Sequence, residues 1–354
     1  MNNWFDKPGA YVLVDGQFGS TGKGLLAGWI AEGNWRDIDV YTTNAGPNSG
    51  HTAYFGHRKI MTQQLPVGAV VARLAARAGC LPDNNPDFEP VVYLNAGAVI
   101  DPEILNREIE EWQMRNVTVH PNVAVIGAAE RRADQSAVNS VAGTGKGVGP
   151  AIATKVMRQD RDLESLSTVD ASCAVRGWDW DRQRVFVETA QGFSLGLNEP
   201  RFYPYVTSRE CTVMQAISDA RIPAQMVRKV VMCLRTFPIR VGNSPEGGYS
   251  GDCYPDQYEM QWSQIGVDKE LTTVTKRVRR VFNWSRIQFR EACAANRPDV
   301  LFVNFFNYLK PAGVDPSSFM RTVKDDYRDV MGHNPECILY GWSPYGADIV
   351  VEYP

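Results

Sequence analysis

No Cys-x-x-Cys pair occurs in this chain, and its seven cysteines stand apart at 80, 173, 211, 233, 253, 293 and 337. An odd, scattered set argues against a disulfide framework and a zinc cluster, and fits a reducing cytosol. Histidine is scarcer, with four in 354 residues. His57, His120 and His333 share no spacing that suggests a metal site. No run of about 18 apolar residues is present, and the N-terminus lacks a charged-then-apolar leader pattern, so neither a membrane span nor export is expected. A surplus of one charge is also missing. The net charge of −3 argues against a general nucleic-acid binder. Neither an internal repeat nor a low-complexity segment is found.

The remaining composition, 44% hydrophobic and 22% charged, is that of a soluble globular protein. The length allows two domains or one large α/β domain with insertions. No linker composition marks a boundary, so 1–354 is read as one domain, with about 102–180 as a candidate helical subdomain. Short β-branched runs at 11–14, 91–94, 123–126, 185–187, 300–304 and 349–351 predict strands. Helical patterns at 25–31, 102–115, 211–220 and 285–295 alternate with them. Such alternation predicts an α/β fold with a mainly parallel sheet, helices on its faces and ligands at the carboxyl ends of the strands.

Five segments carry candidate chemistry. The first, Asp15-Gly16-Gln17-Phe18-Gly19-Ser20-Thr21-Gly22-Lys23-Gly24, lies between a strand run and a helix run. Free backbone N–H groups, a positive helix end and Lys23 suit a phosphate. It is not a standard P-loop, because Gln17 and Gly24 stand where that motif needs glycine and a hydroxyl. The second, Asn48-Ser49-Gly50-His51-Thr52, embeds a histidine in flexible backbone, a placement for ligand contact and charge stabilisation. The third, Gly143-Thr144-Gly145-Lys146-Gly147-Val148-Gly149-Pro150, is another run of flexible N–H donors. The fourth joins Gln191-Gly192 to Tyr203-Pro204-Tyr205-Val206-Thr207-Ser208. The fifth, Leu271 to Arg280, ends in four cations within five residues, which suits a small dicarboxylate. Alone, each has an ordinary alternative: a tight turn, a surface-loop histidine, loop polarity or a solvated basic strand.

In this order the segments resemble the adenylosuccinate synthetase family, over about residues 10–350. That family carries a Gly-Asp-Glu-Gly-Lys-Gly loop, an Asn-x-Gly-His-Thr loop and a Gly-Thr-Gly-(Lys/Arg)-Gly-(Ile/Val)-Gly-Pro loop. A Gln-Gly plus Tyr-Pro-(Tyr/Phe)-Val-Thr-Ser pair and an arginine-rich aspartate loop follow. The resemblance implies a P-loop-NTPase-like fold with inserted helical and loop subdomains, and a carbon–nitrogen ligase. Family members use a nucleoside triphosphate to phosphorylate the purine 6-oxygen, which the amino group of aspartate then displaces. On this chain the resemblance gives the catalytic roles to position 20, His51 and Gln191. It puts Lys23, Asn48, Thr144, Gln191, Thr207 and Val241 at the monophosphate, with Val241 on the aspartate side. Arg158 matches an arginine that reaches the monophosphate's phosphate across a dimer interface, which implies a homodimer. Thr273, Thr275, Arg277 and Arg279 fall on the aspartate. Gly19, Thr21, Gly22, Lys23, Gly24, Gly50, His51 and Thr52 fall on the triphosphate, and Asn304, Asn307, Gly341, Ser343 and Pro344 lie beside its base. Position 20 and the Gly50 carbonyl are the implied Mg²⁺ donors.

Two departures shape the expected substrate. The family places an aspartate at position 20, where it takes the N1 proton of hypoxanthine. Ser20 is neutral, shorter and a poor base. Its hydroxyl leaves room for, and can accept a hydrogen bond from, a 2-amino group, so guanine is the expected base. That points to the phage branch making precursors of 2-aminoadenine for modified DNA, which implies dGMP. Aspartate, phosphate and water all remain open as the N1 proton acceptor. Secondly, the family reads the guanine of GTP with Thr-Lys-x-Asp, whereas this chain has Asn304-Phe305-Phe306-Asn307. An asparagine amide offers one donor and one acceptor, which suits adenine, so ATP or dATP is the expected donor. The alternatives are an ordinary IMP- and GTP-using member with a tolerated serine, and a nucleotide-binding protein that has lost catalysis.

Overall fold

The computed structural model describes residues 4–78, 85–159, 162–245, 247–272 and 276–353. Its frame is a 10-stranded sheet. Across it run Ile349–Glu352, Cys337–Gly341, Val300–Asn304, Val227–Arg235, Gly9–Asp15, Arg184–Glu188, Val40–Thr43, Val92–Leu94, Val117–Val119 and Ser172–Cys173. Neighbours are parallel except at the edge, where Ile349–Glu352 runs antiparallel to Cys337–Gly341.

The central strand Gly9–Asp15 is buried along its whole length, as expected of a parallel strand covered on both faces. Its side chains alternate between two cores. Tyr11 and Leu13 pack with Leu26, Ile30, Val70, Val71, Leu105 and Ile109, from the helices Lys23–Asn34, Val67–Arg77 and Pro102–Trp112. Ala10, Val12 and Val14 pack with Ile217, Phe289, Val323 and Tyr327, from Val213–Asp219, Arg286–Asn296 and Pro316–Met331. Local signals start several of these helices. Asp101 and Asp315 each cap a helix whose next residue is proline, and Ser285 caps Arg286–Asn296.

The expected strand at 123–126 shrinks to Ala124–Val125, which pairs with Val99–Ile100 in a separate small sheet. The segment 102–180 carries the helices Ala128–Val141, Val148–Val156 and Leu163–Ser167, and also two strands of the main sheet. Val227–Arg235, at the centre of the sheet, falls outside the expected strands, as do Val40–Thr43 and Cys337–Gly341. Among the described residues no helix is long and apolar enough to cross a membrane. The six described cysteines are all free thiols.

Candidate active site

The carboxyl ends of the central strands open into one cavity of about 490 Å³. The glycine loop forms its floor, and Asp15 shapes that loop from inside. Its Oδ1 accepts the backbone N–H groups of Gln17 and Gly19 at 2.9 and 3.1 Å. Its Oδ2 accepts the Thr21 hydroxyl and meets Lys23 Nζ at 3.1 Å. Lys23 also donates to the Gln191 carbonyl at 2.7 Å, tying the first loop to the fourth. The helix Lys23–Asn34 begins at Gly22 with no side-chain cap, so its first N–H groups are left for an anion.

The loops cross backbone against backbone. A Cβ on Gly24 would stand 2.5 Å from Thr52 N and 2.7 Å from Thr52 O, and one on Gly192 would stand 2.2 Å from Gly19 N. Gly24→Ala is therefore expected to push the His51–Thr52 strand off the glycine loop. The expected cost is about 1–3 kcal/mol in stability, with weaker binding of any anion at the helix start. Thermal unfolding and anion titration check this, and wild-type values in both would show that the loops separate freely.

Three non-glycine residues of the cavity wall sit at positive φ: Ser20 at 57°, Gln191 at 67° and Phe305 at 58°. This left-handed conformation costs an L-residue roughly 1–2 kcal/mol. Strain of this kind gathers where side-chain direction matters. Ser20 is exposed, its hydroxyl makes no hydrogen bond among the described residues, and its carbonyl accepts Arg235 Nη1 at 3.2 Å. Arg235 is fully buried. It grips Glu270 with both terminal nitrogens, at 3.2 and 2.6 Å, and its guanidinium lies 4.0 Å from the Phe305 ring centroid. Burial pushes the Glu270 carboxyl up, but the Arg235 charge overrides this and holds it below the usual carboxylate range. Burial pulls the Arg279 guanidinium down to about 10, against the nearby Glu270.

The cavity gathers most of the residues expected from sequence. Gly19, Ser20, Thr21, Gly22, Lys23, Gly24, Asn48, Gly50, His51, Thr52, Thr144, Gln191, Val241, Arg279, Asn304, Asn307, Ser343 and Pro344 all line it. Thr207, Arg277, Gly341 and Arg158 stand back from the wall. The Thr207 N–H donates to the carbonyl of Leu195, which does line the cavity. Arg277 Nη1 reaches the Ala142 carbonyl at 3.3 Å, beside the third loop. Gly341 makes room for Asn304, since its Cβ would stand 2.2 Å from Asn304 Oδ1. Arg158 is exposed, just past the helix Val148–Val156. Thr273 and Thr275 lie outside the described residues.

Two asparagines of the cavity wall, Asn304 and Asn307, differ in their contacts. Asn304 is wedged between Gly22 and Gly341, and its Oδ1 accepts the Phe305 N–H at 2.8 Å. The Asn307 side chain, exposed on the cavity wall, makes no hydrogen bond among the described residues. Sequence reasoning had passed over Asp15, Glu188, Arg235 and Glu270 as functional groups. A charged residue closing an apolar strand run is the local signal for Asp15, Glu188 and Arg235, and Glu270 carries none.

The adenylosuccinate synthetase family model matches residues 12–172 and 164–312. The N6-succino-2-amino-2'-deoxyadenylate synthase of Vibrio phage phiVC8 is 40% identical over 324 residues, covering 85% of this chain and 87% of its own. The adenylosuccinate synthetase of Methanocaldococcus jannaschii is 29% identical over 297 residues, covering 80% and 79%. Among solved structures, the cyanophage S-2L succinoaminodeoxyadenylate synthetase bound to dGMP and dATP superposes with a TM-score of 0.79. It is 31% identical, with 97% of this chain and 95% of that one covered. With its motifs gathered in one cavity of a matching fold, the chain belongs to the adenylosuccinate synthetase family.

Proposed function

We propose that this chain joins L-aspartate to C6 of dGMP, with ATP or dATP as phosphoryl donor, and so makes a precursor of 2-aminoadenine DNA. The observation that carries the choice of base is Ser20, a neutral, unpaired hydroxyl presented to the cavity where the family has a carboxylate. A carboxylate there faces the N1 edge of hypoxanthine. A hydroxyl leaves space for a 2-amino group and accepts a hydrogen bond from it. The phage relative's 40% identity, against 29% for the archaeal adenylosuccinate synthetase, supports the same choice. Asn307, unpaired at the far end of the cavity, suits adenine in the donor.

In this reading the purine O6 attacks the γ-phosphorus. The O6–P bond forms as the P–O bond to the β-phosphate breaks, and ADP or dADP leaves. Lys23 and the uncapped N–H groups of its helix hold the phosphates. His51 stabilises the phosphoryl group in flight. The amino group of aspartate, steered by Arg279, then attacks C6, and phosphate departs as the C–N bond forms. Asp15 and Glu270 are both tied to cations, so the N1 proton goes to an oxygen of the substrates or to water.

A magnesium ion fits the wall as a companion of the triphosphate. The Gly50 backbone, on the cavity wall, would supply a hard, neutral oxygen donor. The ion would neutralise phosphate charge. A homodimer would bring Arg158 of the partner subunit to the monophosphate. The exposure of Val156 and Met157 beside it, 70% and 67%, supports an interface there. These small-molecule substrates support action in the cytoplasm, which is the host's if the chain is phage-encoded.

The test crosses IMP, GMP and dGMP with ATP, dATP and GTP in the presence of aspartate, and reads succinylated product by mass. The expected result is product from dGMP with an adenine donor. Turnover of IMP with none of dGMP overturns the proposal.

A further inference from the structure

We propose that Glu188 is the positioning residue of His51, fixing the imidazole so that Nε2 faces the phosphoryl group being transferred. The proposal rests on the reading of His51 as the group that stabilises this phosphoryl.

Glu188 closes the strand Arg184–Glu188, and its side chain is 1% exposed. Two backbone donors lock the carboxylate. Gly68 N–H reaches Oε1 at 2.9 Å and Val67 N–H reaches Oε2 at 3.1 Å. Both belong to the first turn of the helix Val67–Arg77, whose positive end favours an anion. A Cβ on Gly68 would stand 2.7 Å from Oε1, so the approach is as close as glycine permits. The carboxylate thus has a fixed place between a strand end and a helix start.

His51 faces this fixed group. Its Nδ1 stands 3.9 Å from Glu188 Oε2, and the ring makes no hydrogen bond among the described residues. The histidine is 9% exposed and lines the cavity. With Nδ1 turned to the carboxylate, the opposite nitrogen is left to the cavity. The gap exceeds a hydrogen bond, whose length is about 2.7–3.2 Å. Such pairs are commonly long without substrate and close in the loaded complex. A carboxylate beside one ring nitrogen sets the tautomer and tilt of the imidazole, which decides what the other nitrogen offers.

A cap for the helix alone would give Glu188 a stabilising role and nothing more. A double-mutant cycle separates the two. Glu188→Gln keeps length and loses charge. Glu188→Asp keeps charge and withdraws the carboxylate by about one methylene. Each is measured alone and with His51→Gln, by phosphate release from dATP in the presence of dGMP and aspartate, with thermal unfolding alongside. The proposal expects each Glu188 variant to lose roughly 10- to 100-fold in kcat, with both nucleotide KM values within about twofold of wild type. It expects no further loss when either is added to His51→Gln. Wild-type kcat in the Glu188 variants, or the same loss repeated on the His51→Gln background, overturns it. Should Glu188→Gln fail to fold, the Glu188→Asp arm decides in the same way. Full activity of His51→Gln alone sinks the reading of His51 itself, whatever the Glu188 variants do.

Discussion

Ser20→Asp should lower kcat/KM for dGMP by roughly 10- to 200-fold, the scale on which a pocket discriminates small steric differences. IMP turnover should rise in the same variant. The added carboxylate takes the room that the 2-amino group needs. It also restores, beside N1, the base that the family uses on hypoxanthine. The substitution is a clean one because of the backbone. Ser20 stands at φ 57°, and aspartate is among the residues that enter the left-handed region most readily. Its carbonyl keeps the bond from Arg235 whatever the side chain. The loop should therefore hold its shape while its chemistry changes. Competition between IMP and dGMP, read by product mass, measures the ratio directly. Unchanged dGMP turnover would show that the side chain at position 20 does not face the C2 edge.

Arg235→Met is the substitution with the largest expected effect on folding. Arg235 is fully buried, and its loss would leave the Glu270 carboxylate, whose side chain is 20% exposed, with the Tyr308 hydroxyl at 3.2 Å and the looser Arg279 contact at 3.8 Å. Breaking a buried pair by removing one partner costs about 3–5 kcal/mol. The partial exposure of Glu270 places this case at the lower end, since water can rescue part of the charge. The Ser20 carbonyl and the Phe305 ring lose their contacts in the same step. Denaturant unfolding of Arg235→Met, Glu270→Gln and the double variant provides the check. The double variant should recover part of the loss, because the Arg235–Glu270 pair is then removed whole while Arg279 loses the carboxylate 3.8 Å away. A single-variant cost under about 1 kcal/mol would mean that the pair does not brace the site.

The sheet was legible where its strands are β-branched, as at Tyr11–Val14, Val185–Val187 and Val300–Asn304, which all lie in the main sheet. Val227–Arg235 escaped because Met232, Cys233 and Leu234 mark strands poorly and Arg228 and Lys229 open it with charge. The helix Val67–Arg77 escaped because its Val-Gly start and alanine-rich body lack a polar capping residue. In the site, motif order revealed most of the cavity-lining residues, since each loop carries its own glycine and hydroxyl pattern. The residues that hold those loops were not visible. Arg235 and Glu270 are 35 positions apart, and Glu188 meets Val67 across 121. No local spacing encodes such a pairing; the sheet order creates it.

The crossings at Gly24 and Gly192 join main chain to main chain, and Ser20 is attached to the frame through its carbonyl. On the proposed reading, phosphate binding and base choice are thereby separable traits. Substitution at either glycine disturbs the machinery that any member of the family needs. Substitution at position 20 alters a group that nothing else leans on. One codon can thus carry a lineage from one purine to another while the energy-coupling half is inherited unchanged.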